Sequence, residues 1–162
     1  VSGTKVVTVE RRDPVAVSAD ITGPAGELDI IDWAQLISRI VDEELAEDIM
    51  PIAVQDNRDR LDKLTKAVED ENIADVRLYA HAMKGSMMNV GANRVLRVAR
   101  SLEHMAGKGD LSKAQEYLVR IREEFERFET LVSKPDWLDI VKRGQDHGQN
   151  TDRQLQSYES VR

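Results

Sequence analysis

The segment from residue 78 to residue 91, LYAHAMKGSMMNVG, contains residue types that could transfer a chemical group. His81 is followed by Lys84 three residues later and by Gly85 four residues later. A solvent-exposed imidazole is substantially neutral at pH 7, and its unprotonated nitrogen is a nucleophile that can take a covalent group such as a phosphoryl. A lysine one helical turn away could offset the added negative charge. The chemistry therefore depends on whether His81 is exposed.

Helical periodicity places residues 76–90 on two faces, because a helix turns by about 100° per residue. One face is mainly apolar and should meet the core; it contains Val76, Tyr79, Ala80, Met83, Met87 and Val90. The opposite face contains Arg77, Leu78, His81, Lys84, Gly85 and Met88. The pattern predicts that His81 is exposed. A solvated histidine without a role is the alternative at this point.

Gly85 favours a functional interpretation of this face. Glycine in a helix interior costs roughly 1 kcal/mol relative to alanine, so an ordinary exposed position would suit alanine better. Without a side chain one turn after His81, a partner could approach the imidazole closely. Arg77 could help to offset negative charge on the ring, and the apolar Leu78 and Met88 could anchor a docking protein.

Composition limits the other classes of function. The chain has 162 residues, enough for one domain with a core, and it is rich in charged residues (33%) and poor in aromatic ones (4%), which favours helices. It has no cysteine, so disulfides and thiol catalysis are excluded. The net charge of −7 argues against general nucleic-acid binding. No apolar run approaches the ~20 residues of a membrane span, and we expect no direct membrane contact.

The hydrophobic pattern predicts an all-α fold, an antiparallel four-helix bundle with an additional short N-terminal helix. It predicts helices near residues 33–40, 43–70, 73–90, 92–106 and 111–132, with one or two further turns at 137–141. Asp32 should cap the first helix, and Pro51 should break or restart the second. Residues 1–29 read as a linker or disordered segment, 30–134 as the bundle, and 135–162 as an extension that is partly helical and then mobile.

The residues around His81 resemble the signature of histidine phosphotransfer (HPt) domains: His, any residue, Leu, Lys, Gly, five residues, Gly. His81, Lys84, Gly85 and Gly91 match this signature in register. Met83 stands where the family usually has leucine, a conservative change on the buried face. The resemblance extends from about residue 32 to residue 132.

The resemblance implies that His81 accepts a phosphoryl group on Nε2 from the aspartyl phosphate of a receiver domain and passes it to another receiver. Nδ1 should then be oriented by a neighbour or a water, which the sequence does not identify. By the same resemblance Lys84 lies near the phosphoryl group, Gly85 keeps the histidine accessible and Gly91 ends the helix.

The resemblance also implies the partners. They are response-regulator receiver domains, which would bring the aspartate and Mg²⁺, so we expect no cofactor in this chain. The chain shows no nucleotide-binding motif, and we expect a phosphocarrier without ATP-dependent kinase activity of its own. We expect it in the cytoplasm, as a stand-alone phosphorelay protein or as a domain of a bacterial hybrid sensor histidine kinase.

Other readings remain at this point. A helical docking or dimerisation module without phosphotransfer would not require His81, Lys84 and Gly85 together. His104 reads as a solvated histidine near a helix end, and His147, in the polar tail, receives no role. We expect no metal site, because no two histidines are four residues apart. Asn57 lies on an apolar face, as a hydrogen-bonding residue across the bundle or as a boundary residue.

Overall fold

The described structure, a computed structural model covering residues 30–40 and 42–145, is helical, with no strand in these residues. The helices are α1 (Trp33–Arg39), α2 (Glu43–Glu69), α3 (Ile73–Asn89), α4 (Asn93–Gly107) and α5 (Ala114–Val132). Residues 137–145 are also helical and form α6. Our predictions for residues 1–29 and 146–162 lie outside the described residues.

Helices α2 to α5 form a four-helix bundle. Each of them packs against two others around a closed ring, in the order α2, α3, α4, α5, and α1 packs on α3. The turns between them are short, residues 70–72, 90–92 and 108–113, so that neighbours run antiparallel. The largest fully buried side chains fill the space between them and include Leu64, Met83, Leu102, Phe125 and Phe128. The predicted all-α bundle with a short N-terminal helix is confirmed.

The prediction that Pro51 breaks the second helix is wrong, because α2 continues through Pro51. Proline removes the N–H that would donate to the carbonyl of Glu47. Both Pro51 and Glu47 are exposed, so water can hydrate that carbonyl, while Ala46 and Ala53 on the opposite side are buried in the core. Burial of these apolar side chains therefore holds α2 together across the proline.

The end of the bundle differs from the sequence prediction in two places. Helix α5 begins at Ala114 and not at Leu111, because the Asp110 carboxylate accepts a hydrogen bond from the Ser112 N–H and closes a local turn first. After α5, α6 is longer than one or two turns. Its residues Trp137, Ile140 and Val141 are buried in the same core as the bundle.

Two buried polar side chains connect neighbouring helices. Asn57 is fully buried, and its Nδ2 donates to Ser86 Oγ at 2.7 Å and to the carbonyl of Ala53 at 2.7 Å. Glu124 on α5 accepts two hydrogen bonds from Arg94 on α4, at 2.6 and 2.9 Å. Asn57 therefore links α2 to α3 through Ser86, the residue that follows Gly85.

Gly91 shapes the turn between α3 and α4. Its φ is +70°, where a side chain is strained, and the Ala92 N–H donates to Met87 O at 2.9 Å to close the end of α3. The Gly91 carbonyl accepts from the Asp32 N–H at 2.9 Å. Asp32 in turn caps α1 through the Gln35 N–H, as predicted. Gly91 therefore ends α3 and holds the start of α1 against the turn.

The two glycines near the histidine should respond to alanine in opposite ways. A Cβ at Gly91 would lie 2.7 Å from the Asp32 carbonyl oxygen, at a positive φ, whereas a Cβ at Gly85 would meet nothing within 4 Å. We expect Gly91→Ala to lower the free energy of unfolding by at least about 1–2 kcal/mol and Gly85→Ala to raise it by up to about 1 kcal/mol. Urea unfolding measures both; a Gly91→Ala variant as stable as wild type would contradict this account of the turn.

Candidate functional site

His81 lies on the outward face of α3. The side chain is 66% exposed, whereas Val76, Ala80, Met83 and Met87 on the other face of α3 are buried. Burial of these four residues orients the helix so that the imidazole faces solvent. The exposure predicted from periodicity is confirmed, and His81 is not a core histidine.

Glu103 on α4 holds the imidazole from one side. Its Oε1 lies 2.6 Å from His81 Nδ1. An ionised carboxylate can only accept hydrogen bonds, so the neutral ring must carry its proton on Nδ1 and donate it to Glu103. The other ring nitrogen, Nε2, then has a free lone pair. The arrangement makes Nε2 the nucleophilic atom of an accessible imidazole.

Lys84 completes this cluster. Its Nζ lies 2.6 Å from Glu103 Oε2 and 3.4 Å from His81 Nδ1. The sequence suggested that Lys84 lies beside His81, and the structure brings them together, but on the Nδ1 side of the ring. The ammonium is therefore paired with the carboxylate, and it would have to leave Glu103 to contact a group attached to Nε2.

The two partners of Glu103 determine its ionisation. Partial burial by itself would raise the pKa of Glu103, but hydrogen bonds from Lys84 and His81, together with the positive charge of Lys84 and of the His81 ring when it is protonated, lower the pKa below its ordinary value. The carboxylate is therefore ionised at neutral pH, as the hydrogen bond from Nδ1 requires.

The remaining residues predicted for the site differ in how far they are exposed to solvent. Leu78 is 57% exposed and Arg77 is exposed. Met88 is only partly exposed, because it packs against the core. Gly85 has open space where a side chain would be, so the fold itself does not require glycine there. The apolar Leu78, the cationic Arg77 and the open space at Gly85 thus lie along one helix face with His81.

Sequence reasoning missed Glu103. The residue precedes His104 in a charged stretch, and nothing in the helical pattern shows which side of α4 meets α3.

No group of three or more His, Asp or Glu side chains in residues 30–40 and 42–145 could hold a metal. Within the same residues, no helix is both long and apolar enough to cross a membrane. His104 lies exposed in the last turn of α4.

Comparison with known families identifies the class of protein. Residues 48–131, just over half of the chain, match the model of the Hpt domain. This region contains His81, Lys84, Gly85 and Glu103. The chain belongs to the Hpt domain family, and it is a histidine phosphotransfer module of phosphorelay signalling. Modules of this family carry phosphoryl groups and work with response-regulator receiver domains.

A solved structure agrees with this assignment. The chain is similar to the crystal structure of histidine-containing phosphotransfer protein B (HptB) from Pseudomonas aeruginosa PAO1, with 27% sequence identity and a TM-score of 0.61. The similarity covers 64% of this chain and 91% of that one. Among curated proteins, no sequence matches the chain.

Removal of the Glu103 carboxylate should change the protonation of the imidazole. In wild type, ¹⁵N NMR should show the neutral His81 ring with its proton on Nδ1, and Glu103→Ala should shift the population towards the Nε2–H form. An unchanged tautomer in Glu103→Ala would show that Glu103 does not orient the ring.

The Glu103 carboxylate should also make stability depend on pH. Because the pKa of Glu103 is lowered on folding, its contribution to the free energy of unfolding is complete above the ordinary glutamate pKa and is lost as pH falls through the lowered pKa. The stability difference between wild type and Glu103→Gln should therefore shrink on acidification.

Proposed function

We propose that Nε2 of His81 is the phosphoacceptor of this Hpt domain. The observation that carries the proposal is the 2.6 Å contact between Nδ1 and Glu103, in an imidazole that is otherwise exposed. It leaves Nε2 unprotonated and directed away from the carboxylate. The lysine and glycine of the family signature lie on the same helix face.

The transfer step follows from this arrangement. The lone pair of Nε2 attacks the phosphorus of an aspartyl phosphate on a receiver domain, the bond between phosphorus and the acyl oxygen breaks, and its electron pair leaves with the aspartate carboxylate. The ring keeps its Nδ1 proton and becomes positively charged. Glu103 stabilises this charge through the hydrogen bond that it already accepts. In the reverse direction, the phosphohistidine delivers the group to the aspartate of another receiver.

Lys84 has two roles in this proposal. Before transfer its ammonium holds Glu103 through the 2.6 Å ion pair. After transfer its flexible side chain moves towards the phosphoryl group and shares its charge with the new phosphate oxygens. Gly85 keeps the approach to the ring open, and Leu78, Met88 and Arg77 contact the docked receiver.

The remaining requirements of the reaction fall to the partner. An aspartyl phosphate is already activated, so the transfer needs no ATP, and we propose that the chain is a phosphocarrier without kinase activity of its own. Mg²⁺ binds in the receiver, and the chain contributes no cofactor. We place the domain in the cytoplasm, as a stand-alone phosphorelay protein or within a sensor kinase polypeptide.

Loss of the imidazole should abolish labelling. The purified chain is incubated with a panel of receiver domains carrying ³²P-aspartyl phosphate, and label transfer is followed with time. We expect wild type and the control His147→Gln to take label, and His81→Gln to take none, because Gln lacks a nucleophilic nitrogen. The linkage should be acid-labile and comparatively stable to base. Label in His81→Gln, or none in wild type with any donor, would refute the assignment.

A large side chain at residue 85 should hinder the partner. We expect Gly85→Gln to slow transfer by about tenfold or more, since small displacements of reacting groups reduce rates strongly. Gly85→Ala serves as the matched control and should retain most of the rate. Circular dichroism should change little and the melting temperature should not fall in either variant, because the space around residue 85 is open. Transfer by Gly85→Gln at the wild-type rate would show that access is not the role of this glycine.

A further inference from the structure

A groove lies beside Glu103, between α3 and α4. Its volume is about 410 Å³, and it is lined by Arg77, Arg100, Glu103, His104, Gly107 and Lys108. Glu103 also contacts the ring of His81, so the groove and the phosphotransfer site share a wall.

The groove is strongly basic. Arg77, Arg100 and Lys108 are cations at neutral pH, and His104 becomes one when protonated. The single acidic lining residue is Glu103, whose two oxygens already accept from His81 and Lys84. None of the three cations has an ion-pair partner among residues 30–40 and 42–145. This concentration of positive charge contrasts with the net charge of −7 for the whole chain.

The shape of the groove depends on Gly107, the last residue of α4. Arg77 extends from α3 towards this residue, and its Nε lies 3.8 Å from the place that a Cβ at Gly107 would occupy. A longer side chain at residue 107 would therefore narrow the groove. A water molecule takes about 30 Å³, so a groove of this size holds far more than one phosphate group. Its dimensions suit several side chains of a protein partner.

We propose that this groove docks an acidic segment of the receiver domain that exchanges a phosphoryl group with His81, and that it selects among receivers by charge. The inference rests on the proposed function and adds the chemistry of the partner. A receiver that reaches His81 also covers the adjoining groove. Covering these three cations without carboxylates would be costly, whereas acidic side chains would pair with them and speed association.

Charge removal tests the proposal in the transfer reaction. The groove variant Arg100→Gln with Lys108→Gln is compared with Lys63→Gln with Arg120→Gln, which removes two charges from α2 and α5. At low salt we expect kcat/KM for transfer from a phosphorylated receiver to fall by about tenfold in the groove variant and by less than about twofold in the control. The difference should shrink at about 1 M salt, where the Debye length is about 3 Å. Equal effects in both variants, or no effect in the groove variant, would overturn the proposal.

A binding experiment decides the question without phosphotransfer, so a failure of the proposed function is distinguishable from a failure of the groove. The full chain is titrated with hexaglutamate, hexaglutamine, inorganic phosphate and a hexanucleotide while NMR follows the backbone amides. We expect hexaglutamate to shift the amides of Arg100 and Lys108, and Gly107→Gln to weaken this binding at unchanged net charge. Equal shifts with phosphate would indicate a site for small anions, and tighter binding of the hexanucleotide a site for nucleic acid; either result would overturn the proposal.

Discussion

The packing of α3 against α4 is the constraint on which the site depends. It brings Glu103 within 2.6 Å of His81 Nδ1 and of Lys84 Nζ, although Glu103 and His81 are 22 residues apart in the chain. A histidine on an isolated helix could carry its proton on either nitrogen. The carboxylate from the neighbouring helix removes this ambiguity, because it can only accept a hydrogen bond. The nitrogen that keeps a free lone pair is thus specified by a contact between helices and not by the helix that bears the histidine.

The presence of glycine at the two glycine positions of the family signature has two different physical explanations. Gly91 has a positive φ, and a side chain there would collide with the backbone of Asp32, so the fold requires it. At Gly85 there is free space and an ordinary helical backbone, so the fold would accept alanine and gain stability. A residue that the fold does not need, next to the reactive group, is better explained by the approach of a partner.

Charge is distributed unevenly over the surface. The chain as a whole is acidic, yet one groove beside the histidine is lined by three cations that have no ion-pair partner in the described part of the chain. Like charges gathered in one place repel one another and do not stabilise a monomer. Glu103 lines this groove and also contacts His81, and this position is the basis of our proposal that the cations recognise an acidic partner.

The sequence by itself determined most of the helices, their faces and the residue that we propose as the phosphoacceptor. The apolar positions of α3 predicted that His81 is exposed, Asp32 was recognised as a cap, and Gly91 as the end of a helix, because these features depend on neighbours along the chain. Two predictions made from the local sequence were wrong, because other interactions were stronger. Pro51 did not break α2, since buried residues on the opposite side hold the helix, and the turn at Asp110 delayed the start of α5.

Only the tertiary structure decided which residues from other helices meet His81. Glu103 comes from α4, and the groove is lined by Arg77 of α3 together with residues of α4 and of the turn that follows it. Helical periodicity shows which side of α4 is apolar but not how that side is turned relative to α3. The same holds for Asn57, which the sequence left as a boundary or a bonding residue until its contact with Ser86 placed it inside the bundle. Side-chain packing between helices fixes these relations, and packing depends on residues far apart in the chain.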